Sequence, residues 1–296
     1  MTRFSLEFVF AGGEKRSPNV EPVEWLLKSD ADTVADSLTV RFGAGKRLFS
    51  EEPVGAVLKK DGAVIFDGIV DEHRVKCQNG ARTELFSLRS RAALLLDNEA
   101  APMELRMPSL RLLERMYLTP LGLHAVGGDR RPVAGVLTVE KGMRCWEVLQ
   151  MFAEEYLNCA PYADKSGGVH FENYVPQTVK PDWLTAREVI YCPYKMLSGV
   201  TVQNAQTGAY GAEYHDLLAP QVRVRYLSAY AKTAPTVLLT ESRRTAKRLK
   251  LTCAPYIDGS PGDMMQTDDL GEMRLISKSV LLRGKEMKTE LLFEPV

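Results

Sequence analysis

The chain lacks the short motifs that usually declare an activity. No HExxH, GxSxG, Walker loop or GxGxxG occurs in its 296 residues, so the zinc-protease, α/β-hydrolase, P-loop and dinucleotide-binding classes have no support. An excess of one charge is missing too. Lys and Arg total 38 and Asp and Glu total 38, for a formal net charge of zero, which removes any general electrostatic reason to expect nucleic acid or a membrane surface as partner. A near-neutral surface weakly favours association with other proteins. No apolar run is long enough to span a membrane. The N-terminus, MTRFSLEFVFAGGEKR, alternates Phe4, Leu6, Phe8 and Phe10 with other residues, so it reads as a strand and not as a secretory signal. The five cysteines (Cys77, Cys145, Cys159, Cys192, Cys253) are odd in number and far apart. With no CxxC and no zinc spacing they read as reduced thiols, several of them buried, in a protein made in a cytoplasm.

What is present is β structure punctuated by turns. The segment Val54 to Ala100 reads as three consecutive strands and an exit segment. Val54–Lys59 meets an Asp61-Gly62 turn, whose residues supply the positive φ angles of a two-residue hairpin. The return strand, Ala63–Arg74, is interrupted by Gly68, a mark of a bulge or a corner. The Gln78-Asn79-Gly80 turn leads into Thr83–Ser90, and a leucine run follows. This meander is raw material for a small barrel. Part of it recurs near the C-terminus. Gly262 answers Gly55, the Asp268–Gly271 turn answers Lys60–Gly62, and Met273–Leu282 answers Ala63–Arg74. The Arg283-Gly284-Lys285 turn answers Asn79-Gly80, and Thr289-Glu290-Leu291 answers Thr83-Glu84-Leu85. The repeat predicts two related barrels; the competing reading is that β-meanders resemble one another.

The expected fold is therefore mainly β with an α+β middle. Residues 1–97 form an N-terminal β-barrel domain, 98–184 an α+β middle domain and 185–296 a C-terminal β-barrel domain. In the first, Val23–Leu27 and the run Leu38, Val40, Phe42 supply further strands. In the middle, Leu110, Leu113, Met116 and Tyr117 predict a helix capped by Ser109 and ended by Pro120 and Gly122. Val136–Val139 reads as a strand. Trp146, Leu149, Phe152, Ala153 and Tyr156 predict the strongest helix, followed by strands at Ala160–Tyr162 and Val169–Glu172. In the third, strands are expected at Met196–Gln203, Val222–Ala229, Thr236–Leu239 and Lys247–Cys253, with turn-rich loops at Ala205–His215 and Tyr256–Gly262.

No residue grouping predicts catalysis, a cofactor or a metal. The histidines His73, His124, His170 and His215 fall in four segments. Cys159 and His170 form a conceivable pair, read here as structural. Asp258, Asp263, Asp268 and Asp269 lack EF-hand spacing and read as solvated turns. The basic run Arg243, Arg244, Lys247, Arg248, Lys250 offers a contact for phosphate or a partner's acidic face, or else the solvated face of an ordinary strand.

The order of segments resembles the baseplate hub proteins of contractile bacteriophage tails, of the Mu-like type and the related prophage tail proteins. DADTVADSLTVRF (30–42) resembles the opening of that family's first barrel, and DGAVIFDGIVDEHRV (61–75) its hairpin with a glycine in the return strand. SLRSRAALLLDNEA (87–100) is similar to the barrel exit. GMRCWEVLQMFAEEYLNCAPYADKSGGVHF (142–171) resembles the middle domain, and PGDMMQ (261–266) with GEMRLISKSVLL the closing barrel. The resemblance covers nearly the whole chain. It implies a non-enzymatic homotrimer whose six barrels form a ring adapting a six-fold tail tube to a three-fold central spike. Its partners would be other copies of itself, the tail tube protein, the spike and other baseplate proteins, with no membrane partner and with DNA only in transit through the channel. The location implied is the virion tail, assembled in the host bacterial cytoplasm, with no fused lysin or receptor-binding module. Two other classes stay open: a tail-tip cell-wall-degrading enzyme, in which Asp164 or Glu172 would face another acid in a cleft, and a generic oligomeric binding module.

Overall fold

A computed structural model describes residues 3–43 and 45–296. The chain is mainly β with few helices and divides into two units, Met1–Val175 with Ser279–Met287, and Pro176–Lys278 with Lys288–Val296.

The first unit opens with strands β1 (Phe4–Val9), β2 (Lys15–Arg16), β3 (Glu24–Asp30), β4 (Ser37–Gly43), β5 (Gly55–Lys60), β6 (Ala63–Gln78) and β7 (Ala81–Ser90). Their hydrogen-bonded order is β2-β1-β5-β6-β7-β4-β3. The two hairpin turns have the expected chemistry: φ is 49° and 86° at Asp61 and Gly62, and 51° and 76° at Asn79 and Gly80. The tip of the last hairpin belongs to this unit, where Gly284 N–H donates to the Val23 carbonyl at 3.0 Å and Arg283 pairs with Glu24 at 3.1 Å.

The sheet curls strongly. β1 and β7 are three places apart, about 14 Å in a flat sheet, yet the rings of Phe8 and Phe86 are 4.7 Å apart and Phe8 also lies 6.1 Å from Phe42 on β4. The register shows how. Phe8 faces Ala56, Ala56 faces Gly68, and Gly68 faces Ser90, so the row beside the aromatic cluster is built of small residues. A Cβ on Gly68 would sit 2.3 Å from the Arg89 carbonyl oxygen and 2.5 Å from the Phe66 ring. Gly68 is therefore a close-approach glycine. The β6 bulges lie on either side of it, where the register shifts past Ile65 and past Asp71.

The two barrels expected from the sequence are not found as closed structures. Among the described residues the strand order is a path with two ends: the sheet curls around its aromatic rings without a closing ladder. The inward face of β7 carries a carboxylate. Glu84, Phe86, Leu88 and Ser90 point inward, while Leu85 is only half-buried. Glu84 is 1% exposed, and its carboxylate accepts from Arg82 Nε at 2.8 Å and from Leu48 N–H at 3.3 Å. His73 lies 3.1 Å from Glu84 and 2.6 Å from Glu52, so the Leu48–Glu52 segment is fastened to the sheet. Partners of this kind are what a buried carboxylate needs.

The α+β part follows. The leucine run forms α1 (Ala93–Asp97), and β8 (Met103–Arg106) comes next. The helix α2 (Leu110–Leu113) begins at Ser109, whose Oγ accepts from Leu112 N–H at 3.2 Å. A π turn continues it through Leu118, and it stops at Gly122, φ 72°. Then come β9 (His124–Val126), β10 (Val136–Val139), α3 (Cys145–Phe152), β11 (Tyr162–Ala163) and β12 (Gly168–His170). β10 pairs with β8, and β12 pairs with both β11 and β9. The expected stripe of α3 and its π continuation is buried at Trp146, Leu149, Phe152 and Ala153 against Leu110, Leu113 and Phe171.

The second unit contains β13 (Leu184–Tyr191), β14 (Gly199–Gln203), β15 (Tyr210–His215), β16 (Val224–Leu227), α4 (Pro235–Ala246), β17 (Lys247–Cys253), β18 (Met264–Thr267), β19 (Gly271–Arg283) and β20 (Glu286–Pro295). The order is β13-β17-β20-β19, with β18 also on β19, and β15-β14-β16 form a separate sheet. Leu249, Leu251, Met273, Leu275, Leu291 and Phe293 make its core. Two expectations are corrected. Thr236–Leu239, read as a strand, is the start of α4: Pro235 suits a first helical position, and Leu239 and Ala246 bury one helical face. Tyr210–His215, read as loop, is β15.

The C-terminal meander β18-β19-β20 matches β5-β6-β7 in layout, with a long middle strand in each. The third strands are aligned one residue out in the sequence comparison. Thr289 and Leu291 are inward on β20 where Glu84 and Phe86 are inward on β7. The side-chain period of a strand is two, so a one-residue slip exchanges the faces.

Gly68→Ala is expected to lower unfolding stability by about 2 kcal/mol or more, because backbone and not a mobile side chain blocks the added methyl. Chemical denaturation measures this; a loss under about 0.5 kcal/mol would show that the curl does not depend on that contact.

Candidate interaction surface

The groups singled out for chemistry are engaged in holding the fold. Cys159 is buried beyond the end of α3. Burial, and secondarily the Glu172 carboxylate, push its thiol pKa up, the opposite of what a nucleophile needs. His170 on β12 lies with Nε2 3.0 Å from Asp164 Oδ2 and Nδ1 3.6 Å from Glu172 Oε1, and it stacks on Tyr162 with 4.5 Å between ring centroids. Asp164 closes the β11–β12 turn by accepting from the backbone N–H groups of Ser166 (2.7 Å) and Gly168 (2.9 Å). Burial raises the Asp164 pKa, but hydrogen bonds from His170, Gly168 and Ser166 outweigh it and hold the carboxyl below its usual range. Asp164 and Glu172 thus flank one imidazole at the hairpin surface, with Glu172 more than half exposed.

The acidic loop is dispersed. Asp263 is buried, accepting from Gln177 N–H at 2.8 Å and Ser260 N–H at 2.7 Å, and Asp269 pairs with Arg187 at 2.6 Å. Among the described residues no three His, Cys, Asp or Glu side chains are placed to hold a metal. The basic run is largely paired within the unit. Arg243 grips the buried Asp216 through two bonds of 2.9 and 2.7 Å, Arg244 reaches Glu294 at 3.3 Å, and Lys250 reaches Glu290 at 3.3 Å.

The second unit presents instead a number of exposed large apolar side chains that sequence reasoning missed. In β15 every residue is exposed. Tyr210 on β15 and Tyr226 on β16 meet across β14 with centroids 5.2 Å apart, both open to solvent. The loops add Leu217 at 94% exposure, Val222 at 89% and Tyr230 at 83%. Among the described residues β13 is an edge strand, paired only with β17, and Leu184, Val189 and Tyr191 on it are exposed. An unpaired apolar edge is a template for another chain, and contiguous exposed apolar surface marks an interaction site. No helix is long and apolar enough among the described residues to cross a membrane.

No protein-family model matches the chain. No curated protein is similar to it in sequence. Solved structures are similar over its full length. The 43 kDa tail protein of prophage MuSo2 from Shewanella oneidensis superposes with a TM-score of 0.76 at 14% identity, covering 100% of this chain and 98% of that one. The tail protein from Neisseria meningitidis MC58 gives 0.69 at 18% identity, covering 99% and 96%. The chain has the fold of a bacteriophage tail protein. That fold extends to an Escherichia coli component of the type VI secretion system, described as structurally similar to the T4 tail proteins gp27 and gp5. It matches with a TM-score of 0.58 at 7% identity, over 99% of this chain and 77% of that one.

Two measurements follow from the tail-fold chain's buried groups. Asp164 has a depressed folded pKa, so the stability it contributes is present above the unfolded value of about 3.9 and is lost as pH falls through the folded value. Asp164→Asn is expected to flatten the acid limb of the stability profile; an unchanged limb would exclude the turn as a contributor. Native thiol alkylation read by mass spectrometry is expected to modify the exposed Cys77 well before the buried Cys145, Cys159 and Cys253; early loss of Cys159 would contradict its assignment as an inert thiol.

Proposed function

We propose that this chain is a structural component of the tail of a phage or prophage-derived particle, at the baseplate hub. The observation that carries the reading is the match to two tail proteins along the whole of both chains, 99% with 96% and 100% with 98%. In this reading three copies form a ring that adapts the six-fold tube of a contractile tail to the three-fold central spike. The partners are other copies of the chain, the tail tube protein, the spike and other baseplate proteins, and DNA passes only in transit. The chain works as 1–97, 98–184 and 185–296, the first and last pieces alike, and carries no catalytic, cofactor or metal residues. It assembles in the host cytoplasm and ends in the virion tail.

The apolar surface of the second unit supports an assembling protein. Leu217, Leu218, Val222, Tyr226 and Tyr230 are all exposed, and burying side chains of this size is worth roughly 1.5–3 kcal/mol each. A ring built by heterologous contacts needs such surface on every copy.

Light scattering across a concentration series tests the proposal. The expected mass is three times the 33.0 kDa of one chain. The triple variant Leu217→Asp, Val222→Asp, Tyr230→Asp is expected to run as a monomer that keeps the native circular dichroism spectrum, since in the single chain these side chains are almost wholly in water. A stable dimer would overturn the ring, because a two-fold assembly cannot present three-fold symmetry.

A further inference from the structure

We propose that β13 is an acceptor edge onto which β15 of a neighbouring copy of this chain adds as a further strand. This rests on the reading of the chain as a self-assembling ring and names the contact that closes it.

The register of β13 with β17 fixes where its backbone groups point. Just past the strand, Cys192 N–H donates to the Ala246 carbonyl at 2.7 Å, in line with Tyr191 facing Lys247 and Ile190 facing Arg248. Antiparallel ladders alternate bonded and non-bonded pairs. The bonded pairs are therefore Ile190 with Arg248, Glu188 with Lys250 and Ala186 with Thr252. The N–H and C=O groups of Arg187, Val189 and Tyr191 point the other way, and among the described residues no strand meets them. Donors and acceptors alternating at strand spacing are matched by another extended backbone.

The edge has few of the guards that keep free strands from pairing. From Ala186 to Tyr191 there is no lysine and no proline, and the one register shift lies earlier, between Leu184 and Ala186. Of the two charges on this stretch, Arg187 is drawn onto Asp269 at 2.6 Å. All of β13 except Ile190 is exposed. The core is open here as well. Val189 faces Leu249 across the ladder; Leu249 is fully buried, yet Val189 is 44% exposed. A strand laid beside β13 would extend the core over Val189.

The same unit carries a matching edge. β15 pairs only with β14 among the described residues, and it too has no lysine or proline. Asp216 N–H donates to the Ser198 carbonyl at 3.0 Å, continuing the register in which His215 faces Gly199. Tyr214 and Ala212 are therefore bonded to β14, while Glu213 and His215 turn their backbone groups outward. Contact of β13 with β13 would be isologous and would stop at a dimer. Contact of β13 with β15 is heterologous, so every copy takes one strand and gives one, as a closed ring requires.

Proline at an outward-facing position removes one donor and leaves the bonds to the strand's own neighbour in place. Val189→Pro and Glu213→Pro are each expected to keep the native circular dichroism spectrum. Each is expected to raise the concentration of half-assembly, read by light scattering, at least about tenfold. Val189→Thr, which keeps the N–H and the β-branch, is expected to assemble like the unsubstituted chain. Mixing the two proline variants restores one intact contact, β15 of the first on β13 of the second, and the expected product is a complex of two chains. In the unsubstituted chain, amide exchange across 186–191 and 211–215 is expected to slow on assembly. Proline variants that assemble normally, a mixture that forms no complex, or unchanged exchange would each overturn the β13–β15 contact and leave the ring reading standing. An unsubstituted chain that is monomeric at every concentration would overturn the ring and the contact together.

Discussion

The contact between Phe8 and Phe86 organises the first unit. It brings strands that a flat sheet would hold three places apart to van der Waals contact, and this is possible because Ala56, Gly68 and Ser90 leave the inner row free of bulk. Both the rings and the small residues are needed. Large side chains in that row would hold the sheet open, and without the rings the curled face would enclose a cavity, which protein interiors do not tolerate cheaply. The bulges past Ile65 and Asp71 add local twist on either side of Gly68. Among the described residues the curl is made by these contacts and not by a closing ladder.

Much of this was legible in the sequence, and what was legible shares a physical origin. The hairpin turns at Asp61-Gly62 and Asn79-Gly80, the Ser109 cap, the Gly122 stop and the stripe of α3 are all set by neighbours within a few residues. Gly68 was recognisable as special, but its reason was not, because Arg89 and Phe66 meet it only in the folded sheet. Residues 236–239 misled because Thr-Val-Leu-Leu has β-branched residues at its head, while its helical face depends on burial of Leu239 and Ala246 further on. The inward Glu84 broke the apolar alternation of β7, and the same residue put the third strands of the two meanders one residue out of register. A buried carboxylate is set by Arg82 and a distant loop, neither of which a periodicity can register.

The charges illustrate the same division. The zero net charge hides a dense internal pairing. Arg243 with Asp216, and Arg244 and Arg274 with Glu294, take much of the basic run out of contact with any partner. A run of cations in sequence therefore says little about surface potential until its counter-ions are placed.

Surface apolarity in the second unit is the feature that most favours the assembling role proposed for this chain. An enzyme of this size would be expected to gather its perturbed groups in a cleft. Among the described residues the perturbed groups are dispersed: Asp164 closes a turn, Cys159 lies in a core, and Asp129 pairs with its near neighbour Arg131. By contrast, Tyr210, Tyr214, Tyr226 and Tyr230 stand exposed on β15, β16 and the loop after them, and Tyr191 on β13. Tyrosine and leucine left in water at 66% and 94% exposure, as at Tyr226 and Leu217, weaken solubility and bury little of their area on folding. Several such side chains on and beside one sheet lower the free energy of the chain only when another surface covers them.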